Sequence, residues 1–545
     1  MKKLLALVLA LVMSMSLVTI SNAAFKDADK IDYKEAVDVM NAVGVFIGDE
    51  KGNFNAKENL TREQAAKIIA YLELGSKAAD ALAGGATFTD VASTRWSAGF
   101  VGYCAQAGVV NGVGNSKFDP AGQLTALQFG KMLLVELGYD AKAAGMVGTD
   151  WAINTSKLMA KAKLMDKIDG SVNQVLTREK AAQMTLNALK TPTVEYATKG
   201  SNITVNGAEI NFGASTPTYV RNTVAKDQTI SQEQLTNSTD YTVELGEKLY
   251  KKLVLSDTTD AFGRPTRTWT FENKKVGEYV KDADLEYTAG TDYEVVYADL
   301  GLTKSAKITE YYVDGKTTTP AAASVTKNDD DHKFGANGVL TQVWYDDDNN
   351  TVIVTEINTY VGKISAVTKA SGSDERSVTI NGLTKPGTLN KYETESFEKS
   401  DLISYTAAYD KATGRYDVQS AAILEKSTTG LLTKWNGKAI VGTVGNSANN
   451  FTVDSETYKY SANFYVVDEN GAASQIYNFD VNKADVDVYL DAYGYALYIA
   501  GVEGTKNYAT VIGVGSTNPY GDRTTGVTLL LPDGTQKAVL SLIHI

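Results

Sequence analysis

A short helix-start motif occurs twice in the first third of the chain. Leu60-Thr61-Arg62-Glu63 returns as Leu176-Thr177-Arg178-Glu179, and a diverged copy, Leu124-Thr125-Ala126-Leu127, lies between them. Each copy opens a segment whose apolar residues recur at helical spacing. A repeated two-helix unit cannot bury its apolar face alone, so neighbouring copies must pack together. We therefore predict three helix–loop–helix units in one bundle.

The threonine of each copy is predicted to be a helix N-cap. These residues are Thr61, Thr125 and Thr177. A glutamine follows three positions later in the first two copies, which predicts a capping box. Lys180 takes that place in the third copy, so its capping box is incomplete.

An arginine follows the N-cap in the two full copies. The first backbone N–H groups of a helix have no intrahelical partner, and the helix dipole is positive there. Arg62 and Arg178 add a planar, permanent charge that suits a carboxylate, so the sequence favours an anionic ligand. The alternative is that both arginines are solvated helix starts. Trp96, a further candidate for ligand contact, would then belong to the core.

The N-terminus indicates export. Lys2 and Lys3 precede the apolar stretch 4–20, and Ser21-Asn22-Ala23 forms a small-x-small cleavage site. We interpret residues 1–23 as a signal peptide, with an uncleaved anchor as the alternative. No later apolar run is long enough to span a bilayer.

Charge and cysteine content restrict the partners. The formal net charge is −12, which disfavours nucleic acid and anionic membranes. Cys104 is the only cysteine, so this exported chain must fold without internal disulfides. It lies on an apolar helical stripe, where we expect a buried small hydrophobe and not a reactive thiol.

The first third resembles the surface-layer homology (SLH) modules of bacterial cell-envelope proteins. The resemblance covers roughly residues 25–190 and includes the Phe-x-Asp openings Phe25-Lys26-Asp27 and Phe88-Thr89-Asp90. It implies three modules in a helical bundle whose grooves bind a secondary cell-wall polysaccharide carrying an acidic pyruvate ketal. The residues it assigns to that site are Arg62, Arg178, Asp27, Asp90, Trp96, Asp150 and Trp151.

Two copies depart from the family pattern. Ala126 and Leu127 replace arginine and glutamate in the middle copy, so its groove is expected to bind weakly or only to pack. The third copy opens with Gly148-Thr149-Asp150, so Asp150 lacks the phenylalanine that precedes the aspartate in the Phe-x-Asp openings.

Beyond residue 190 the helical pattern ends, and short runs rich in Thr, Val and Tyr alternate with turns. We predict a multidomain protein with an N-terminal all-α three-module SLH bundle followed by all-β sandwich or small-barrel domains in series. The predicted segments are 1–23 (signal peptide), 24–75, 86–139 and 146–190 (SLH modules), and 191–280, 281–360, 361–430 and 431–545 (β-rich domains). The chain stops inside an apolar run, and we expect the last domain to be truncated.

Catalytic motifs are scarce. With two histidines, and without a nucleophile elbow or a P-loop, we predict no enzyme activity and no cofactor. Asp329-Asp330-Asp331 and Asp346-Asp347-Asp348 leave Ca²⁺ binding open, although solvated acidic turns are favoured.

The sequence thus predicts a secreted protein of the cell wall and surface layer. We expect it to anchor non-covalently to the wall polysaccharide and to self-associate in a surface lattice, with no nucleic-acid partner and no membrane span after signal cleavage. The alternatives are a polysaccharide-degrading enzyme or an adhesin held at the wall by the same modules.

Overall fold

The computed structural model describes residues 25–84, 88–205, 208–223, 229–230, 235, 239–372, 375–436, 450–502, 510–517, 524–530 and 534–541. The predicted signal peptide and the last four residues, on which the expected truncation depends, lie outside this part of the chain. The described residues form two compact units. We call residues 25–260 with 264–282 the N-terminal unit, and residues 261–263 with 283–541 the C-terminal unit.

Helices dominate the first 190 residues of the N-terminal unit. They are α1 (Lys34–Ala42), α2 (Arg62–Leu74), α3 (Ser76–Asp80), α4 (Ala98–Gln106), α5 (Ala126–Glu136), α6 (Trp151–Lys161), α7 (Arg178–Leu189) and, further along the chain, α8 (Leu245–Leu249). A short 3₁₀ turn, Ala28–Lys30, precedes them. In α1, Ala36, Val37 and Met40 form a buried face at helical spacing. Gly44, at φ +76°, follows that helix and allows the chain to turn away from it.

Strands follow α7 within the same unit. They are β1 (Val194–Glu195), β2 (Ser201–Val205), β3 (Ala208–Phe212), β4 (Thr218–Tyr219), β5 (Arg221–Asn222), β6 (Tyr241–Thr242), β7 (Leu253–Thr259), β8 (Pro265–Phe271) and β9 (Lys274–Val280). β1 pairs with β4, β2 with β3 and β5 with β6, while β7, β8 and β9 form an antiparallel three-stranded sheet.

The three-stranded sheet packs on the first helix. Asp38 of α1 accepts a hydrogen bond from the Tyr279 hydroxyl at 2.7 Å. Trp269 is fully buried, and its indole N–H donates to Glu35 at 2.8 Å. One apolar cluster therefore runs from Ile31 to Val276 and joins helices and strands.

The C-terminal unit is rich in β-structure. Its strands are β10 (Leu285–Tyr287), β11 (Thr291–Asp292), β12 (Ala306–Val313), β13 (Lys316–Thr317), β14 (Ser324–Val325), β15 (Lys333–Phe334), β16 (Val339–Asp346), β17 (Thr351–Asn358), β18 (Tyr360–Thr368), β19 (Ser377–Gly382), β20 (Tyr392–Glu393), β21 (Leu402–Asp410), β22 (Arg415–Ile423), β23 (Thr428–Asn436), β24 (Asn450–Val453), β25 (Glu456–Val467), β26 (Asp485–Leu490), β27 (Ala496–Gly501), β28 (Thr510–Thr517), β29 (Thr524–Leu530) and β30 (Gln536–Ser541). It also contains the helix α9 (Tyr293–Asp299) and a 3₁₀ turn, Ile476–Asn478.

These strands form several sheets that follow one another along the chain. A six-stranded sheet has the order β10-β16-β17-β12-β13, with β14 paired to β12, and the next sheet has the order β20-β19-β18-β21-β22. Strands β23-β24-β25-β27-β26 close a barrel, and β28-β29-β30 form a further sheet. β12 and β17 run parallel, whereas the hairpin β16–β17 is antiparallel with Val343 opposite Val354.

The predicted fold class is wrong. Helices alone do not make the N-terminal core, because the face of α1 that carries Glu35 and Asp38 is covered by the sheet β7–β9. The C-terminal unit is not purely β either, since it contains α9. The multidomain organisation and the β-rich C-terminal part agree with the sequence analysis, and the individual boundaries stay predictions.

Among the residues that the structure describes, we find no helix with the length and apolar character needed to cross a membrane.

Candidate polysaccharide-binding grooves

Three helix starts meet in a closed ring of backbone hydrogen bonds. Leu60 N–H donates to Leu176 O at 2.8 Å, Leu176 N–H to Leu124 O at 2.9 Å, and Leu124 N–H to Leu60 O at 3.0 Å. All three leucine side chains are buried. The ring therefore places the three repeated segments side by side at the start of α2, α5 and α7.

The capping boxes predicted at Thr61 and Thr125 are confirmed, whereas Thr177 occupies the N-cap position without the side-chain capping bond expected of it. Thr61 Oγ1 accepts from the N–H of Gln64, and Gln64 Oε1 accepts from the N–H of Thr61 at 3.0 Å. Thr125 and Gln128 form the same reciprocal pair. The Thr177 hydroxyl is buried and has no hydrogen-bond partner among the described residues.

The backbone N–H groups at these helix starts are not open to a ligand. The N–H of Arg62 donates to Gly122 O at 2.9 Å, and the N–H of Arg178 donates to Glu58 O at 2.9 Å. The next N–H in each helix, that of Glu63 or Glu179, is bonded to a carbonyl of the same neighbouring loop. The expectation of unpaired N–H groups was therefore wrong, and contact with an anion falls to side chains.

The two arginine side chains take matching positions. Arg62 Nε donates to Phe118 O at 2.7 Å and Nη2 to Asn111 O at 2.8 Å. Arg178 Nε donates to Phe54 O at 3.1 Å and Nη2 to Ile47 O at 3.1 Å. Among the described residues, Nη1 has no partner in either case. Burial lowers the pKa of both guanidinium groups, yet arginine remains charged.

Each arginine lies in a groove of about 330 Å³. The Arg178 groove is lined by Val45, Phe46, Ile47, Gly48, Asp49, Asn55, Glu58, Gln64, Lys67, Ile68, Trp96 and Arg178. The Arg62 groove is lined by Arg62, Val109, Val110, Asn111, Gly112, Val113, Leu124, Gln128, Lys131, Met132, Met146, Val147, Gly148 and Trp151. Both sets combine an arginine, a glycine loop, a glutamine, a lysine and a tryptophan.

The two grooves are built alike. Gln64 and Lys67 of α2 correspond to Gln128 and Lys131 of α5, which lie 64 residues further along the chain. The lysine ammonium faces the tryptophan in each groove, with Lys67 Nζ 6.0 Å from the Trp96 ring centroid and Lys131 Nζ 5.9 Å from that of Trp151. Trp96 is 53% exposed although it is a large apolar side chain, which favours a binding role over a core role.

The predicted aspartates lie outside both grooves. Asp27 accepts hydrogen bonds from the backbone N–H groups of Phe54 and Asn55 at 2.7 and 2.8 Å. Asp90 binds the N–H groups at 118 and 119 in the same way, each at 2.8 Å. Although burial opposes it, these hydrogen bonds lower the pKa of Asp90. Both carboxylates therefore brace a loop, whereas Asp150 is exposed at the N-cap of α6 and makes no side-chain capping bond.

Four further residues line the grooves and were not among the predicted site residues: Gln64, Lys67, Gln128 and Lys131. Their signal was present, because Thr-x-x-Gln-x-x-Lys occurs at Thr61 and again at Thr125. The middle copy offers no arginine, because Ala126 takes its place. Ala126 is fully buried, and its N–H donates to Gln174 O at 3.1 Å.

The Asp-rich turns belong to the C-terminal unit. The carboxylates of Asp346, Asp347 and Asp348 lie within 4.8 Å of one another and are exposed. Asp329 instead contacts the His332 ring, with 2.8 Å between Oδ1 and Nδ1. Calcium binding stays a prediction.

Comparison with known proteins places the chain at the cell surface. The S-layer homology domain matches residues 24–66 and 87–128. The chain is 25% identical to the surface layer protein of Brevibacillus choshinensis over 431 residues, which is 73% of this chain and 37% of that protein. It is 25% identical over 336 residues to the middle cell wall protein of Brevibacillus brevis, covering 57% of this chain and 30% of the relative. It is also 23% identical to the cell surface protein of Thermoanaerobacter kivui, covering 98% of this chain and 66% of that protein.

The chain thus spans about a third of the first two of these relatives. The domain matches two segments, so the number of three modules stays a prediction.

Proposed function

We propose that this chain, a cell-wall and surface-layer protein with S-layer homology domains, binds an acidic wall polysaccharide through the Arg178 and Arg62 grooves. The polysaccharide we propose carries a pyruvate ketal. The β-rich C-terminal unit then contributes to the surface layer. Support for this role comes from the similar proteins, which are described as surface layer, cell wall and cell surface proteins.

The single observation that carries the proposal is the matched pair of grooves. A ketal carboxylate needs a cationic donor at short range, and each groove has an arginine with an available Nη1 together with a lysine. A sugar ring needs a flat apolar surface and hydrogen-bonding groups at its edge. Trp96, which is exposed, and Trp151, which is half-buried, supply the apolar surface, and the glutamine amide of each groove supplies the hydrogen-bonding group.

The groove walls are held in place before any ligand arrives. Arg62 and Arg178 hold the glycine loops by donating hydrogen bonds to the backbone carbonyls of Asn111 and Ile47. The Phe118 ring centroid lies 4.6 Å from the Arg62 guanidinium carbon. A prearranged site loses less conformational entropy on binding. The rigid loops therefore favour specific recognition over loose ionic attraction.

The test uses the full chain and purified cell wall. We expect the chain to sediment with wall that carries its polysaccharide and to stay in solution when the polysaccharide has been removed by mild acid. Trp96→Ala/Trp151→Ala should weaken binding at least tenfold, because it removes both stacking surfaces. Phe212→Ala is the matched control, since Phe212 is 75% exposed and lies outside both grooves.

Equal sedimentation with intact and stripped wall would contradict the proposal. Electron microscopy of the wall-bound chain also tests the C-terminal unit, because a structural role in the surface layer requires an ordered array on the wall.

A further inference from the structure

The two grooves differ in charge although their architecture matches. Each contains one arginine and one lysine, but the Arg178 groove is also lined by Asp49 and Glu58. At the corresponding positions, 64 residues further along, the chain has Val113 and Gly122. Among the residues that the structure describes, no carboxylate lines the Arg62 groove. The charged side chains therefore sum to about zero in one groove and to two positive charges in the other.

Asp49 keeps its charge in the folded protein. Its Oδ1 accepts hydrogen bonds from the backbone N–H groups of Asn53 and Lys51 at 2.8 and 2.9 Å. Its Oδ2 accepts from the Asn55 amide at 3.0 Å. The backbone hydrogen bond from Asn53, followed by the Asn55 side chain, holds the pKa of Asp49 far below its usual range. This wall of the groove therefore stays anionic well below the pH at which an ordinary aspartate is protonated.

Glu58 adds a second negative charge to the same groove. Among the described residues, its carboxylate has no ion-pair or hydrogen-bond partner, and it acts on Arg178 more strongly than any other carboxylate does. Arg62 also feels two carboxylates, Asp119 and Asp90. Neither of these lines the Arg62 groove, and both Asp90 oxygens are occupied by backbone N–H groups.

The two lysines are also held differently. Lys67 Nζ lies 4.9 Å from the Tyr71 ring centroid, 5.8 Å from that of Phe100 and 6.0 Å from that of Trp96. Within the described part of the chain, Lys131 Nζ faces one ring, that of Trp151, at 5.9 Å. Three aromatic faces stabilise the Lys67 ammonium where it lies, so Lys67 gains less than Lys131 does from contact with a ligand carboxylate.

We propose that the Arg62 groove binds the carboxylate-bearing sugar residue of the wall polymer and that the Arg178 groove binds an uncharged sugar residue. This inference rests on the proposed function and divides it between the two sites. A carboxylate in the Arg178 groove is repelled by Asp49 and Glu58. Sugar hydroxyls instead donate hydrogen bonds to the Glu58 carboxylate, which has no partner among the described residues, while Trp96 supplies the stacking surface.

The test is calorimetry on the full chain with two defined probes. One is a hexose glycoside carrying a pyruvate ketal, and the other is the methyl ester of that ketal, which has nearly the same shape without the charge. We expect the parent to bind the acid at one high-affinity site per chain. High salt should weaken binding of the acid much more than that of the ester.

Two substitutions exchange the charge pattern at exposed positions. Val113→Asp gives the Arg62 groove the carboxylate of its counterpart and should lower the preference for acid over ester about tenfold, the size expected for one nearby like charge. Glu58→Gln removes a charge from the Arg178 groove and should create a second site for the acid. Phe212→Asp places a new carboxylate outside both grooves and should behave like the parent.

The outcomes separate the two proposals. If the parent binds two equivalents of the acid with equal affinity, or if Val113→Asp keeps the parent's preference, the division of roles is overturned and the binding function stands. If neither probe binds the parent, both proposals fail. Circular dichroism of each variant confirms that the helices are intact.

Discussion

Glu35 links the first helix to a sheet that follows it by more than two hundred residues. Its carboxylate accepts hydrogen bonds from Arg267 Nη2 at 2.8 Å, from Arg267 Nε at 3.1 Å and from Trp269 Nε1 at 2.8 Å. The side chains of Glu35 and Arg267 are 16% and 19% exposed. We predict that Glu35→Gln destabilises the N-terminal unit, because it leaves the Arg267 charge partly buried without a counterion.

The magnitude follows from the burial of the pair. Removing one partner of a fully buried ion pair costs about 3–5 kcal/mol, and a hydrogen bond to a charged group contributes about 1.5–3 kcal/mol. Water still reaches a fraction of both side chains, and glutamine retains one acceptor. We therefore expect a loss of about 2–3 kcal/mol in the free energy of unfolding.

Urea unfolding of the full chain, followed by circular dichroism at 222 nm, reports mainly on the helices of the N-terminal unit. The matched control is Glu272→Gln, which neutralises an exposed pair with Lys252 and should change stability by less than about 1 kcal/mol. If Glu35→Gln loses no more stability than this control, the sheet does not hold the first helix in the way we describe.

The effect of Glu35 should also depend on pH in a defined direction. Burial opposes ionisation, but the hydrogen bond and charge of Arg267 outweigh it and lower the pKa of Glu35 below 4.5. A carboxyl group whose pKa is lowered by folding stabilises the folded state above its unfolded pKa. That stabilisation is lost as pH falls through the folded pKa. The difference between parent and Glu35→Gln should therefore be full at pH 7 and shrink below pH 4.5.

Two further predictions concern the same unit. Burial and the nearby Glu73 raise the pKa of Glu136 to about 8, so the parent should lose stability between pH 4.5 and pH 8 as this group is forced to ionise. Glu136→Gln should remove that loss and be more stable by roughly 1–3 kcal/mol at pH 9, as thermal unfolding at pH 5, 7 and 9 will show; a parallel pH dependence in both proteins would contradict this. Thr61→Ala should cost about 1 kcal/mol because it breaks a complete capping box, whereas Thr177→Ala removes a hydroxyl that makes no capping bond. Urea unfolding of the two variants compares them directly, and an equal loss of stability would refute the role of the Thr61 cap.

The features that could be predicted from the sequence are local ones. A capping box is set by residues three positions apart, so Thr61 with Gln64 and Thr125 with Gln128 were visible before the structure. The position of Arg62 and Arg178 at helix starts was visible for the same reason. Nothing local connects Glu35 to Arg267, and the all-α prediction failed at this long-range contact.

The aspartates show a different limit. The Phe-x-Asp openings drew attention to Asp27 and Asp90, but a side-chain type does not reveal whether a carboxylate meets a ligand or a backbone amide. Each accepts hydrogen bonds from two backbone N–H groups 27 to 29 residues further along the chain, and its contact with a ligand stays a prediction. Lys67 and Lys131 were not predicted, because a lysine on a helix is usually only solvated and the repeated Thr-x-x-Gln-x-x-Lys spacing alone did not mark these two as groove residues.

The ring of helix starts explains why a single repeat does not form a complete groove. Arg62 begins α2, yet its groove is walled by the loop 111–113 and by α5 of the next copy. Arg178 begins α7, yet its groove is walled by the loop 47–49 and by α2. Each site is completed by an arginine from another repeat, held there by the hydrogen bonds among the three leucines. A substitution that breaks the ring therefore removes both grooves together, whereas a change within one groove leaves the other intact.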